Sequence, residues 1–152
     1  MPYDLNEAKD ETLVPPGIYR LKVEVVQTDK VAKNLRTQML VVNCRVIGGE
    51  HAGSSFREWI TTYVDLRDNG VTPPLTEEQA GKYKKAVGFG LAKLRRILES
   101  ANEIDHGDES DEAKAKRKFA TLDVFHGLEF WGLVGVKEAG DGFDARNVLR
   151  RA

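Results

Sequence analysis

Between Pro15 and Val64 the chain carries three stretches of β-type patterning in direct succession, joined by turns too short for a crossover. Strands connected that way pair antiparallel, so this third of the chain is committed to a sheet. Pro15-Pro16-Gly17 stops any preceding helix, and Ile18 to Gln27 follows with β-branched residues enriched. Side chains alternate across a strand, which puts Tyr19, Leu21, Val23 and Val25 on one face and Arg20, Lys22 and Glu24 on the other. The second stretch, Thr37 to Ile47, sets Leu40, Val42, Cys44 and Val46 against Met39, Val41, Asn43 and Arg45. Gly48-Gly49-Glu50-His51-Ala52-Gly53 supplies glycines for a tight turn before the third stretch, Ser54 to Val64. Two registers fit that stretch, one with Phe56, Ile60 and Thr62 inward, the other with Trp59 and Tyr63 inward. The preferred register places Phe56 and Ile60 in the core and Arg57, Trp59 and Tyr63 outside.

Asn69-Gly70 and Pro73-Pro74 then mark a loop, and Thr76 with Gln79 reads as a capping box. The helix that follows keeps Ala80, Tyr83, Val87, Leu91, Leu94, Leu98 and Ala101 on one stripe, which predicts packing along its length. Its other face carries Lys82, Lys85, Lys93 and Arg96, a solvated face. Gly88 and Gly90 lie inside it at a cost of about 1 kcal/mol each, which points to close packing or a kink. Asn102 to Asp111 reads as a charged, mobile linker and Glu112 to Leu122 as a short second helix. The β pattern returns in Gly127 to Lys137, where Leu128, Phe130, Val134 and Val136 alternate with Glu129, Trp131, Leu133 and Lys137. Residues 138–142 fit a hairpin loop and Phe143 to Arg150 the returning strand. The order β-β-β-α-(α)-β-β predicts a mainly β protein, a five-stranded OB-fold barrel with a long helix between strands 3 and 4. An SH3-like barrel accommodates a helix of about six turns less naturally. The expected organisation is one domain over 1–152, with 1–14 as an N-terminal extension and 102–112 as an acidic mobile linker.

The 152 residues suit one domain with a core of its own. No apolar run approaches the length of a membrane helix, and Met1 to Val14 lacks the basic start and apolar middle of a signal peptide, so a cytoplasmic protein with no membrane partner is expected. The single cysteine, Cys44, sits on an apolar strand face and reads as a small buried hydrophobe. A net charge of −1 argues against a uniformly basic nucleic-acid binder, but the distribution says more than the sum. Arg20, Lys22, Lys30, Lys33, Arg36, Arg45 and Arg57 fall within the strand block against Glu24, Asp29 and Glu50, which predicts a locally basic surface.

At these residues the chain resembles a family of phage- and prophage-encoded single-stranded-DNA-binding proteins, often known only as a domain of unknown function. The resemblance lies in Tyr3-Asp4-Leu5, in Val14 to Arg20, in Gly49 to Gly53, in Leu91 to Leu98, in His126 to Phe130 and in Phe143 to Val148, where the family tends to have an asparagine such as Asn147. It covers nearly the whole chain through short, mostly structural motifs. It implies an OB-type barrel that coats single-stranded DNA during phage replication or recombination in a bacterial host, alongside phage replication or recombination proteins. One departure is the end, Asn147 to Ala152, which is basic where many such proteins carry an acidic, partner-recruiting tail.

Sequence-independent binding of single strands needs cations for phosphates and exposed rings for bases. The expected DNA-binding face lines up Arg20 and Lys22 beside Arg45, Arg57, Trp59 and Tyr63. A flexible flap between the first two strands would add Lys30, Lys33 and Arg36, and Trp131 and Lys137 complete the set. A homo-oligomer is expected, because one barrel offers a short footprint and linked copies gain avidity. An enzyme is not expected, nor a cofactor or metal: His51, His106 and His126 lie far apart and lack metal-ligand spacing. Two rival readings are a protein-interaction or phage structural module on the same barrel, and a nuclease holding metal through Asp65 and Asp68.

Overall fold

The computed structural model describes residues 13–68, 70, 72–139 and 145–152. Strands β1 (Gly17–Val31), β2 (Thr37–Val46) and β3 (Ser55–Val64) precede helix α1 (Glu77–Ala101), a short helix α2 (Asp111–Lys116) and a 3-10 turn (Leu122–Phe125); β4 (Glu129–Lys137) and β5 (Arg146–Arg151) follow. The five strands form one antiparallel sheet in the order β3-β2-β1-β4-β5. With every neighbouring pair antiparallel, the two edge strands, β3 and β5, point the same way, and they come into contact. No ladder joins them among the described residues; the Glu58 carboxylate of β3 instead accepts the Leu149 N–H of β5 and meets Lys93 of α1 at 3.5 Å.

The core is the inner face of this curved sheet. Leu21, Val23, Leu40, Val42, Cys44, Val46, Phe56, Ile60, Phe130, Val134 and Leu149 pack there against Leu94, Ile97 and Leu98 of the helix and Phe125 of the 3-10 turn. The preferred phase of β3 is the one observed over Phe56 to Ile60, with Trp59 outside. Cys44 is fully buried, and burial pushes its thiol up to about 12, so it is inert as a nucleophile.

Several boundaries differ from expectation for identifiable reasons. β1 runs to Val31 rather than Gln27, because bulges after Val25 and after Gln27 let it stay paired to β2 beyond the point where β4 leaves it at Lys22. The expected flexible flap therefore shrinks to a turn over 32–36. The helix keeps its capping box, with Gln79 N–H donating to Thr76 Oγ1 at 3.2 Å and Thr76 N–H to Gln79 Oε1 at 3.0 Å. Its apolar stripe, however, does not pack along its length: Leu91 is exposed, and Ala80, Tyr83 and Val87 are half-buried. At about 37 Å the helix outreaches the strands beneath it, and only the second half is covered. Gly90 is where the cover begins. A Cβ there would lie 1.8 Å from the Thr61 carbonyl oxygen, so only glycine lets α1 lie this close to β3. Gly88 meets nothing and has no such reason.

Segment 102–112, expected as a mobile acidic linker, is bonded back to the helix end. Buried Glu99 takes Arg95 Nε at 3.2 Å, Arg117 Nε at 2.8 Å and His106 Nδ1 at 2.7 Å, and Arg117 also donates to the Asp105 carbonyl. Burial pushes the Glu99 carboxyl up, but hydrogen bonds from His106, Arg95 and Arg117 outweigh it and hold the group below its ordinary value. The second helix starts near its expected position but stops at Lys116, and a 3-10 turn carries Phe125 into the core. Val14, expected in an extension, is core as well: Asn147 accepts its N–H at 2.9 Å and donates to its carbonyl at 2.8 Å, standing in for a strand neighbour. The start of the expected last strand at Phe143 and most of its loop fall on 140–144, outside the described residues; β5 begins at Arg146. Among the described residues no helix is long and apolar enough to cross a membrane.

Candidate nucleic-acid interface

The outer face of β1, β2 and β3 brings together much of the expected set. Lys22 lies across from Arg45, and Asn43 across from Arg57, so these cations share one surface with Trp59 two residues on. They are largely committed to one another's surroundings. Arg45 Nε pairs with Glu24 at 2.9 Å while its Nη1 donates to the Gly53 carbonyl at 3.0 Å, and Arg57 Nε donates to Asn43 Oδ1 at 3.2 Å. Lys22 is flanked on its other side by Glu129 of β4.

Trp59 sits at the seam between the two sheet edges. It is 45% exposed, rests across from buried Val41, and has the Arg146 guanidinium 5.6 Å above its ring. Arg146 is in turn the cross-strand partner of Lys137. Asn43, Ser55, Arg57, Trp59, Arg146 and Asn147 line a groove of about 580 Å³ along this seam. Such a groove offers one flat π-face and cations on either side, the parts that stacking of a base and neutralisation of its phosphate require.

Trp131 forms a second, separate arrangement. It is 56% exposed on the outer face of β4, with Arg20 of β1 directly across and its guanidinium 5.5 Å from the ring. Its backbone N–H donates to Ser100 Oγ at 3.1 Å, which ties this stretch of β4 to the end of α1. Arg20 is therefore placed with Trp131, not with the Arg45–Arg57 row.

Three expected residues sit elsewhere. Arg36 is only 3% exposed, because its guanidinium caps carbonyls of Asp65, Arg67 and Pro73 and so fastens the loop after β3; it cannot reach a phosphate outside. Tyr63 is exposed but on the wrong side. A bulge at Thr62 sets Tyr63 opposite Gln38, which is in phase with inward Leu40, while Trp59 and Thr61 lie opposite Val41 and Met39. Lys30 belongs to β1, across from Met39, rather than to a loop, and Lys33 is the one flap cation that stays exposed in the turn. Arg146 is not among the residues the sequence pattern singles out, because its place facing Lys137 follows only from the register of that hairpin.

The aspartates weighed for a nuclease are otherwise engaged. Asp65 accepts the N–H, Nε and Nη2 of Arg67 at 3.0, 3.0 and 3.1 Å, and these bonds hold its carboxyl down at about 2; Asp68 accepts the Gly70 N–H. Among the described residues no group of three or more His, Cys, Asp and Glu side chains is placed to hold a metal ion. Compared with known proteins, the chain matches no protein-family model and no curated protein.

Proposed function

We propose that this protein binds single-stranded DNA without sequence preference on an OB-type barrel, in phage DNA replication or recombination. The fold part of this reading is supported by the sheet order. β3-β2-β1-β4-β5 with the edge strands parallel and in contact, and a helix between the third and fourth strands, is the circular order of an OB barrel, here bridged at the seam by Glu58 and α1 in place of a ladder. The observation that carries the function is Trp59, exposed at that seam between Arg57 and Arg146 with Lys137 beside it. A base stacks on the Trp59 ring, the Arg146 guanidinium lies against its other face, and the adjoining phosphates draw Arg57 and Lys137. Stacking is blind to base identity because every base has a π-face. Self-association would lengthen the track by joining copies.

A second reading, a protein-docking barrel, is favoured by Ile18 and Leu133, cross-strand neighbours that are exposed beside Trp131. One titration separates the two. Adding oligo-dT at low salt is expected to quench tryptophan emission, with affinity falling steeply as salt rises and duplex DNA competing poorly. Unchanged emission together with no shift in mobility at low salt would leave only the docking reading.

A further inference from the structure

We infer that a bound strand runs along the outer face of β4 and β5, from Trp59 at one end to Trp131 at the other, and not across β1, β2 and β3. The inference rests on the single-strand-binding reading and specifies its route. Successive cross-strand pairs on this face are Lys137 with Arg146, Gly135 with Val148 and Leu133 with Arg151. β5 thus sets a row of guanidinium groups beside β4. Arg150 joins them, folding over Gly135 so closely that a Cβ on that glycine would lie 2.6 Å from its Nε, and donating to the Val136 carbonyl at 3.3 Å.

The row ends on a ring at each side. Arg146 covers Trp59, and six residues along β4 from Lys137, about 20 Å at strand rise, Arg20 covers Trp131. Between the rings, Gly135 presents no side chain of its own, and the Arg150 side chain occupies the space above it, so the face there carries a guanidinium. None of Arg20, Lys137, Arg146, Arg150 and Arg151 is in an ion pair among the described residues; on the neighbouring face Arg45 is paired with Glu24, while Lys22 and Arg57 are likewise outside any ion pair, Arg57 being bonded to the Asn43 amide oxygen. Cations without a carboxylate are the ones that bring counterions to exchange for phosphates. A polyanion with unstacked bases matches this face in both respects: rings at the ends, free positive charge between. A duplex does not, because its bases are stacked away from the two tryptophans.

The test is the Arg150→Ala, Arg151→Ala double variant, titrated with oligo-dT by fluorescence anisotropy over a range of salt. The expected result is an affinity about tenfold lower and a log–log salt slope shallower by about 1.4, from two lost phosphate contacts. Wild-type affinity and slope in the folded variant overturn the route while leaving the function standing; failure of the unmutated protein to bind oligo-dT overturns the function itself. Labelling of the unmutated protein with an arginine-selective dicarbonyl keeps the route open to refutation if the variant does not fold. Protection of Arg150 and Arg151 by oligo-dT supports it, and equal labelling with and without DNA overturns it.

Discussion

The outer surfaces over β1–β3 and over β4–β5 carry cations in similar supply, yet the two surfaces hold them differently. Over β1–β3, Arg45 is bound to the Glu24 carboxylate and Arg57 to the Asn43 amide oxygen, and Lys22 stands between Arg45 and Glu129, so one cation of the three is ion-paired among the described residues. Over β4–β5, Arg146 and Arg20 lie on tryptophan rings, and Lys137, Arg150 and Arg151 have no acidic partner among the described residues. A cation already satisfied by a carboxylate must give that up to meet a phosphate, and the net gain is small. The lesson is that charge counted along the chain locates a basic region, while the capacity to bind a polyanion depends on which charges are free.

The largest way to break the comparison is to open the seam on which half of the proposed site depends. Trp59 belongs to β3 and Arg146 to β5, and Glu58 is the side chain that ties these strands. Glu58→Ala leaves the Leu149 N–H unsatisfied and Lys93 without its partner, and is expected to cost about 3 kcal/mol, or about 6–12 °C in Tm for a chain of this size. Glu58→Gln keeps an acceptor for Leu149 and should lose less. In a Trp131→Phe background the emission of Trp59 should shift on Glu58→Ala as Arg146 leaves its ring. In a Trp59→Phe background Trp131 should not respond, since its partner Arg20 is on a hydrogen-bonded neighbour strand. A thermal melt that moves for neither Glu58 variant would show that the seam does not depend on this residue.

A smaller effect sharpens the comparison from the ligand side. Each stacked base is worth about 1–3 kcal/mol, so Trp59→Ala and Trp131→Ala should each weaken oligo-dT binding about 5- to 150-fold if one strand touches both rings. A route across β1–β3 engages only the first. Equal losses for the two variants favour β4–β5, and a loss confined to Trp59→Ala sinks it.

What could be read from the chain divides along physical lines. Alternation and turn chemistry placed β1, β2, β3 and β4, the capping box of α1 and the phase of Phe56, Trp59 and Ile60, because each is a local property of a few adjacent residues. The misplaced residues all depend on distant parts of the chain. Arg36 looks like a loop cation until the carbonyls of Asp65, Arg67 and Pro73 close around it. Tyr63 follows the alternation of β3 until the bulge at Thr62, which only the pairing with β2 reveals, turns it over. Ala80, Tyr83 and Val87 continue the stripe on the first half of a helix that packs only by its second half, and Leu91 falls beside the buried line of Gly90, Leu94, Ile97 and Leu98. The same holds at the candidate site: Trp59 and Trp131 were legible as outward rings, but the arginines covering them come from other strands, and Arg146 acquires its role only from the seam between β3 and β5.

The smallest expected effect is the one that discriminates most directly between the two surfaces. Lys22→Ala and Arg45→Ala remove charges from the β1–β3 face, where sequence patterning alone would place the ligand. Arg45 is partly exposed and paired at 2.9 Å, and the loss of such a pair costs at most about 1 kcal/mol of stability. Because the guanidinium is held by Glu24 and the Gly53 carbonyl, its removal leaves Glu24 without its cation and makes the local charge more negative by one, which a strand feels only where it comes near. On the β4–β5 route no phosphate sits on Arg45 or on Lys22, although Lys22 lies only two residues along β1 from Arg20, so oligo-dT affinity should stay within about twofold and the salt slope should not change. A tenfold loss in either variant, with a slope lower by about 0.7, would place a phosphate on that residue and move the track onto β1–β3.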